Sequence, residues 1–452
     1  MKGSVPWGRT MTGMRLRVWM AAGFCVLAGV AWMRTAPAAK DNKIPAKILH
    51  APSAQPDRII LTWAGDPKTT QAVTWRTDVS VEKAAAEIAV AEDGPLFRKK
   101  KREVRAKTEA YTSDLGPAHY HSVQFEGLTP GTKYVYRVGD GENWSEWAQF
   151  TTASEKAEPF AFAYVGDAQN DIFEMWSRVV RSAYADAPKL KFLIHAGDLI
   201  NNADRDEQWG EWHKAAGWIN MSVPSLPVPG NHEYGKQSNG ERALNRNWRP
   251  QFTLPGNGIA GLEETNYYVD IQGVRVVALN TNTQQKEQAE WLDKLLENNP
   301  NKWTVVTHHH PIFSTAKGRD NKELRELLKP VYDKHRVDLV LTGHDHSYGR
   351  SNVVSGENRR EGGTVYVVSV SGPKMYEVTP AEWMQRKGED TQLYQIIRVE
   401  GDRLVYESRT ARGELYDAFE LRKRRNAANV MVNRIPARPE NRRGVSEPSG
   451  GE

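Results

Sequence analysis

Five short polar motifs recur in one order between residues 166 and 346 of this 452-residue chain, and each closes an apolar run. They are Gly166-Asp167, Gly197-Asp198, Gly230-Asn231-His232-Glu233, His308-His309-His310-Pro311 and Gly343-His344-Asp345-His346. Apolar runs of strand length at 160–165, 192–196, 274–279, 303–307 and 339–342 alternate with helical patterns at 172–185, 287–296 and 322–334. That alternation predicts an α/β architecture with a largely parallel central arrangement. In such a sheet, function gathers at the loops beyond the carboxyl ends of the strands, where all five motifs fall. Later runs at 363–370, 393–399 and 404–408 lack intervening helices and predict a second, antiparallel sheet stacked on the first.

The segment before the motifs has a different texture. Residues 58–153 hold short alternating strands separated by turn signals at roughly ten-residue spacing, the pattern of an all-β sandwich. It closes on Leu128-Thr129-Pro130-Gly131-Thr132-Lys133-Tyr134-Val135-Tyr136-Arg137-Val138. Residues 40–57, polar and carrying Pro45, Pro52 and Pro56, read as a linker.

The ends carry the charge. Residues 1–39 hold five basic side chains and no acidic one, and 422–452 hold eight against three, so the net +5 belongs to the termini and 40–421 is mildly acidic. This excludes specific nucleic-acid binding as a reading of the folded middle. Basic residues through Arg17, an apolar run from Val18 to Met33 and Ala36-Pro37-Ala38-Ala39 predict a cleaved export signal over 1–39, placing the protein in the periplasm or outside the cell. A membrane anchor is the alternative if the segment stays uncleaved, though the run is short for a span of ~20 residues. Cys25, the single cysteine, lies in this run, so the mature protein would hold metal by oxygen and nitrogen alone. The tail 422–452, basic and poor in apolar residues, is expected to be loosely ordered and dispensable for turnover.

Two carboxylates, one amide and several imidazoles suffice to ligate two metal ions of the iron, zinc or manganese kind. Two ions ~3.5–4 Å apart acidify bound water and clamp the oxygens of an in-line displacement. Each motif alone is weak, since Gly-Asp is commonly a turn and Gly-Asn-His a common loop. The ordered conjunction carries the reading. Trp209, Trp212 and Trp218 follow the second motif at helical spacing and read as packing, the alternative being an aromatic wall for a base or sugar.

The motif order resembles the calcineurin-like metallophosphoesterase superfamily. Within it the chain resembles the purple acid phosphatases and their bacterial relatives, which Trp303-Thr304-Val305-Val306 and Ser347-Tyr348 with Arg350 also suggest. The 128–138 run resembles the E–F corner of a fibronectin type III domain, with Tyr134 as the corner tyrosine. The resemblance implies a four-layer αββα sandwich over 159–421 behind a fibronectin- or Ig-like domain. It implies one ion on Asp167, Asp198 and His346, with Asp198 bridging to a second on Asn231, His309 and His344. His309 is the member of its triplet two residues before Pro311, and strand alternation puts His308 and His310 on the opposite face. The resemblance makes His232 the general acid for a phosphomonoester attacked by metal-bound hydroxide. Asn201, Asn202, His310 and Tyr348 are candidate substrate contacts. Asn201 stands where purple members carry the tyrosine that gives their colour, so this centre is expected to be colourless. Two alternatives remain: a phosphodiesterase or nucleotide hydrolase on the same centre, or an inert surface-binding protein. Oligomeric state is open.

Overall fold

Strand-forming runs between Asp57 and Thr151 build two four-stranded antiparallel sheets. One has the order Asp57–Thr62, Gln71–Thr77, Gly116–Phe125, Lys107–Ser113, and the other Arg102–Arg105, Ala85–Val90, Lys133–Gly139, Ala148–Thr151. Inward residues of both, among them Val73, Trp75, Ile88, Phe125, Tyr136 and Phe150, form one apolar core. The strands Arg102–Arg105 and Lys107–Ser113 were not foreseen. Both are edge strands in a Lys-, Arg- and Glu-rich stretch, and charge at an exposed edge discourages further pairing without preventing the strand. The Tyr134 hydroxyl accepts the Thr129 N–H at 2.8 Å, the return bond expected of a corner tyrosine.

The computed structural model describes residues 43–356, 362–424 and 427–443. The expected export signal with Cys25 lies outside the described residues, as does the tail beyond 443. Among the described residues, no helix is long and apolar enough to cross a membrane. The expected linker is not loose: it contains a short helix, Ala46–Leu49, and His50 is buried against Gly210 of the helix Asp206–Ala216.

From Phe160 the chain builds two mixed sheets. The first orders Ser225–Pro227, Leu190–His195 and Phe160–Val165 in parallel. It continues antiparallel through Leu393–Glu400, Arg403–Thr410, Leu415–Arg422 and Val430–Asn433. The second runs Tyr267–Ile271, Val274–Ala278, Trp303–His308, Leu339–Thr342, Gly362–Val368, Tyr348–Ser351 and Met384–Gly388, with its middle four strands parallel. The late strands thus do not make a separate sheet as expected. The run at 363–370 completes the parallel set of one sheet, while 393–422 extends the other.

Period-two alternation then sorts the side chains. Val276, Val305, Leu341 and Val367 face the inter-sheet core with Tyr164 and Ile396. Their neighbours Val277, Val306 and Val340 face the helices Gln285–Glu297 and Lys322–His335 through Leu292, Leu328 and Tyr332. Helices Ser177–Asp186 and Asp206–Ala216 contribute Val179, Val180, Trp209 and Trp212 to the core of the first sheet. The result is the expected four-layer αββα sandwich. Trp209 and Trp212 are packing residues, whereas Trp218 is exposed and meets Tyr184 edge-on.

Candidate metal centre

The two sheets bring the carboxyl ends of their parallel strands to one rim, and the five motifs meet there. Asp167 follows the strand Phe160–Val165, and Asp198 follows Leu190–His195. Asn231 opens a single helical turn, Asn231–Glu233, and His309 follows Trp303–His308. Asp167, Asp198, His344 and His346 all adopt positive φ, at 50°, 50°, 72° and 46°. Left-handed backbone at non-glycine residues is uncommon, and such strain concentrates at functional sites.

The motif glycines serve close approach more than turning. A Cβ at Gly230 would lie 2.1 Å from Asp198 Oδ1, and one at Gly343 would lie 2.3 Å from Asp167 Oδ2. Any side chain at either position would displace a carboxylate.

The donor atoms fall into two groups sharing one rim. Asp167, Asp198 and His346 each offer an atom within 4.8 Å of the others, and so do His309, His310 and His344. His309 Nδ1 donates to the Ala196 carbonyl at 2.9 Å, which turns the lone pair of Nε2 inward. Around that Nε2 stand Asp198 Oδ2, Asn231 Oδ1 and His344 Nδ1, each at 3.1 Å. His346 Nδ1 donates to the Lys374 carbonyl at 3.1 Å, again leaving Nε2 for the centre. Imidazoles fixed by a hydrogen bond on the far nitrogen are prepared as ligands.

Electrostatics supports a cation here. Burial pushes the Asp167 carboxyl well above its ordinary range, and Asp198 adds to this. Burial opposes protonation of His309, yet the adjacent Asp198 carboxylate outweighs it and lifts the imidazole to about 9. Asp198 moves the other way, held low by His309 against its own burial. Burial lowers His346 and His310 to about 3, and it lowers His344 too. Asp198 thus draws a proton onto His309 where a cation would otherwise sit between them, while burial keeps His344, His346 and His310 neutral, and this set of oxygen and nitrogen donors fits oxygen- and nitrogen-loving metal ions.

The remaining expected residues sort differently. His232 Nδ1 donates to the Asn201 carbonyl at 2.5 Å, its backbone N–H donates to Asp198 Oδ1 at 2.9 Å, and its Nε2 lies 3.9 Å from Asp198 Oδ2. Asn201 therefore meets the site through its backbone, and the N–H groups of Asn201 and Asn202 both donate to Gln208 Oε1. His310 is not on the far face from His309. The strand ends at His308, alternation stops, and the His310 ring comes within 4.4 Å of the His344 ring while Nδ1 meets Thr281. His308 is the one turned away, stacked on Tyr332. His310 lines a cleft of about 520 Å³ with Asn231, Tyr234, Arg242, Asn282 and Lys322. Tyr348 is not a substrate contact: it is fully buried between the sheets, donating to Asp417 Oδ2 at 2.8 Å.

Three residues at the site were not singled out from the sequence. Glu233 is buried and accepts N–H groups from Gly230, Asp198, Leu199 and Ile200 at 2.6–3.2 Å. Asp345 accepts from Thr315, Ala316 and Arg319, tying their loop to the last motif. Gln169 puts its amide 3.2 Å from Asp198 Oδ2 and 2.7 Å from His346 Nε2. Only Glu233 had a signal, an acid three residues after a loop glycine ahead of a helical turn.

Fold and donor set together define a metal-dependent hydrolase built on paired mixed sheets. Residues 160–348 match the family described as calcineurin-like phosphoesterase, and residues 56–152 match the purple acid phosphatase N-terminal domain. Acid phosphatase type 7 of Homo sapiens is 26% identical over 336 residues, covering 67% of this chain and 72% of that protein. Purple acid phosphatase 23 of Arabidopsis thaliana is 26% identical over 330 residues, 64% of this chain and 70% of its own. Among solved structures, a purple acid phosphatase from seeds of yellow lupin, Lupinus luteus, superposes with a TM-score of 0.68 at 19% identity, covering 81% of this chain and 74% of that one. The structure of PhoD gives 0.61 at 13% identity, covering 85% and 92%. The chain belongs to the calcineurin-like metallophosphoesterases, hydrolases of phosphoric esters, in the two-domain form of the purple acid phosphatases.

Proposed function

We propose that the protein is an exported phosphomonoesterase of the acid-phosphatase type working with two metal ions. The observation that carries this reading is the position of Asp198, whose carboxylate faces both donor groups: His309 at 3.1 Å on one side and the Asp167–His346 group on the other. Asp167, Asp198 and His346 would hold one ion, and Asp198, Asn231, His309 and His344 the second. Such a pair, of iron, zinc or manganese, would acidify water and neutralise charge on the phosphoryl oxygens.

The chain's own residues supply the rest. His232, fixed at Nδ1 by the Asn201 carbonyl, presents Nε2 beside the bridging carboxylate, where a proton can pass to a departing alkoxide. In the adjoining cleft Lys322 is offset by Asp320 and Glu323, and the cation held against the donor cluster is Arg242, which donates to the Asn231 and Tyr234 carbonyls and can attract an anionic ester. The neutral Asn201 supports a centre without a phenolate charge-transfer band. Retention of both donor groups speaks against an inert binding protein. Export rests on the N-terminal pattern of basic, apolar and small residues.

Metal analysis combined with a panel of mono- and diesters tests the reading. The expected result is two ions per chain and faster turnover of monoesters. The variant Asp198→Ala should lose metal and activity together; full metal content and turnover in it would refute the bridging role. Preference for diesters would move the reading to a phosphodiesterase, and a purple band would overturn the expected colour.

A further inference from the structure

We infer that Gln169 is a fourth protein ligand of the ion held by Asp167, Asp198 and His346, presenting its amide oxygen to it; this rests on the dinuclear reading above. Gln169 is fully buried two residues beyond Asp167. Its backbone N–H donates to the Asp198 carbonyl at 3.1 Å. Gly372 seals the segment from the other side: its N–H donates to the Asp167 carbonyl at 2.8 Å, and a Cβ there would come within 2.3 Å of that oxygen. Backbone pinned on both sides aims the side chain into the centre.

The terminal amide then sits between two ligands, 3.2 Å from Asp198 Oδ2 and 2.7 Å from His346 Nε2. With the NH₂ inward, these contacts are hydrogen bonds, but Oε1 is left buried with no partner in the protein. A buried carbonyl without a partner is unfavourable. The two ends of an amide are told apart only by their partners. Turned over, Gln169 puts its oxygen beside a carboxylate oxygen and an imidazole lone pair. Three acceptors so arranged repel one another unless a cation lies among them, and carboxylate, amide oxygen and imidazole are a sound donor set for divalent ions. The amide adds an oxygen without adding charge, so it favours a divalent over a trivalent ion at this position.

Cobalt(II) loading of the metal-free protein, followed by chelator competition and visible absorption, tests the assignment on wild type, Gln169→Leu and Gln169→Glu. Wild type should take up two ions. In Gln169→Leu one site should weaken ~10–100-fold, and its cobalt band should intensify as the coordination number falls. In Gln169→Glu, which keeps an oxygen and has no amide hydrogen, both ions should bind at least as tightly as in wild type. Unchanged affinity and spectrum in Gln169→Leu would overturn the proposal. So would a loss in Gln169→Glu as large as in Gln169→Leu, because that pattern belongs to a hydrogen-bond donor; Gln169→Glu also decides the matter should the leucine variant fail to fold. Fewer than two ions in wild type would sink the dinuclear reading itself, and this inference with it.

Discussion

His232 is fixed as His309 and His346 are, through Nδ1 to a backbone carbonyl, and differs in its exposure and in where its other nitrogen lies. Its Nδ1–H is committed to a backbone carbonyl, about a quarter of the side chain remains exposed, and Nε2 stands beside the Asp198 carboxylate without joining either donor group. A group so held can exchange protons with solvent and deliver one to a leaving oxygen. His232→Ala should therefore keep both metal ions while kcat on an alkyl phosphate falls ~100-fold or more. With an aryl phosphate whose leaving group departs unprotonated, the loss should be much smaller; equal losses on both esters would point to a binding role. At this scale the donor cluster was readable because carboxylates and imidazoles after strands have few other reasons to recur in order. Tyr348 was misread because its neighbours in sequence belong to the donor cluster, while its own side chain turns inward to Asp417. His310 was misplaced because alternation was carried two residues past the end of the strand at His308. Gln169 was invisible, since a glutamine two residues after an aspartate has no distinctive pattern.

The elements matter through the loops they present, and Glu233 shows how those loops are locked. Its carboxylate gathers four backbone N–H groups from the second and third motifs, so the Asp198 loop and the Asn231 turn move as one piece. Burial and the Asp198 charge push the Glu233 carboxyl up to about 7, and the Gly230 and Ile200 N–H groups pull against that rise. Gln208 closes the far end of the same loop by accepting from Asn201 and Asn202. Glu233→Gln would turn an NH₂ toward N–H donors and leave buried groups unpaired, at ~1–3 kcal/mol each. The expected outcome is a lower melting temperature together with metal affinity reduced ~10-fold, read by chelator competition; loss of stability with unaltered affinity would show that the loops hold their geometry without it. Element order was legible where apolar runs were long, as at Trp303–His308. It failed for Arg102–Arg105, an edge strand of mostly charged and uncovered side chains, and for Val430–Asn433, whose apolar run of Val430, Met431 and Val432 is short and sits in a basic tail.

Across the whole molecule, the centre depends on parts remote in sequence. The sandwich grips the phosphoesterase domain through a buried ion pair, Arg58 to Asp206 at 2.5 Å, and through Tyr136 to the Met221 carbonyl at 2.8 Å. Asp206 begins the helix that carries Gln208, so the grip reaches the His232 support. The C-terminal segment, expected to be loose, forms part of the body instead. Val430–Asn433 pairs antiparallel with Leu415–Arg422. Asn433 Oδ1 accepts from Arg350 at 2.9 Å, within the buried network of Arg350, Asp417 and Tyr348. Farther on, the Arg438 carbonyl accepts from Arg386, and the Arg443 guanidinium donates to the Met375 carbonyl. Met375 lies between Lys374, whose carbonyl orients His346, and Tyr376, whose N–H donates to the His346 carbonyl. Removing 427–452 would therefore strip one strand from a sheet, take acceptors away from buried N–H groups of Arg350 and Arg386, and loosen the segment that fixes the candidate ligand His346. A loss on the order of 3 kcal/mol follows from two or three orphaned groups, and at ~2 °C per kcal/mol for a protein of this size the melting temperature should fall by about 6 °C. Metal affinity should weaken at the site containing His346 and hold at the other. A truncated protein that melts like the full chain and binds both ions unchanged would return this segment to the dispensable role its composition suggested, and would show that His346 is held by its own loop alone.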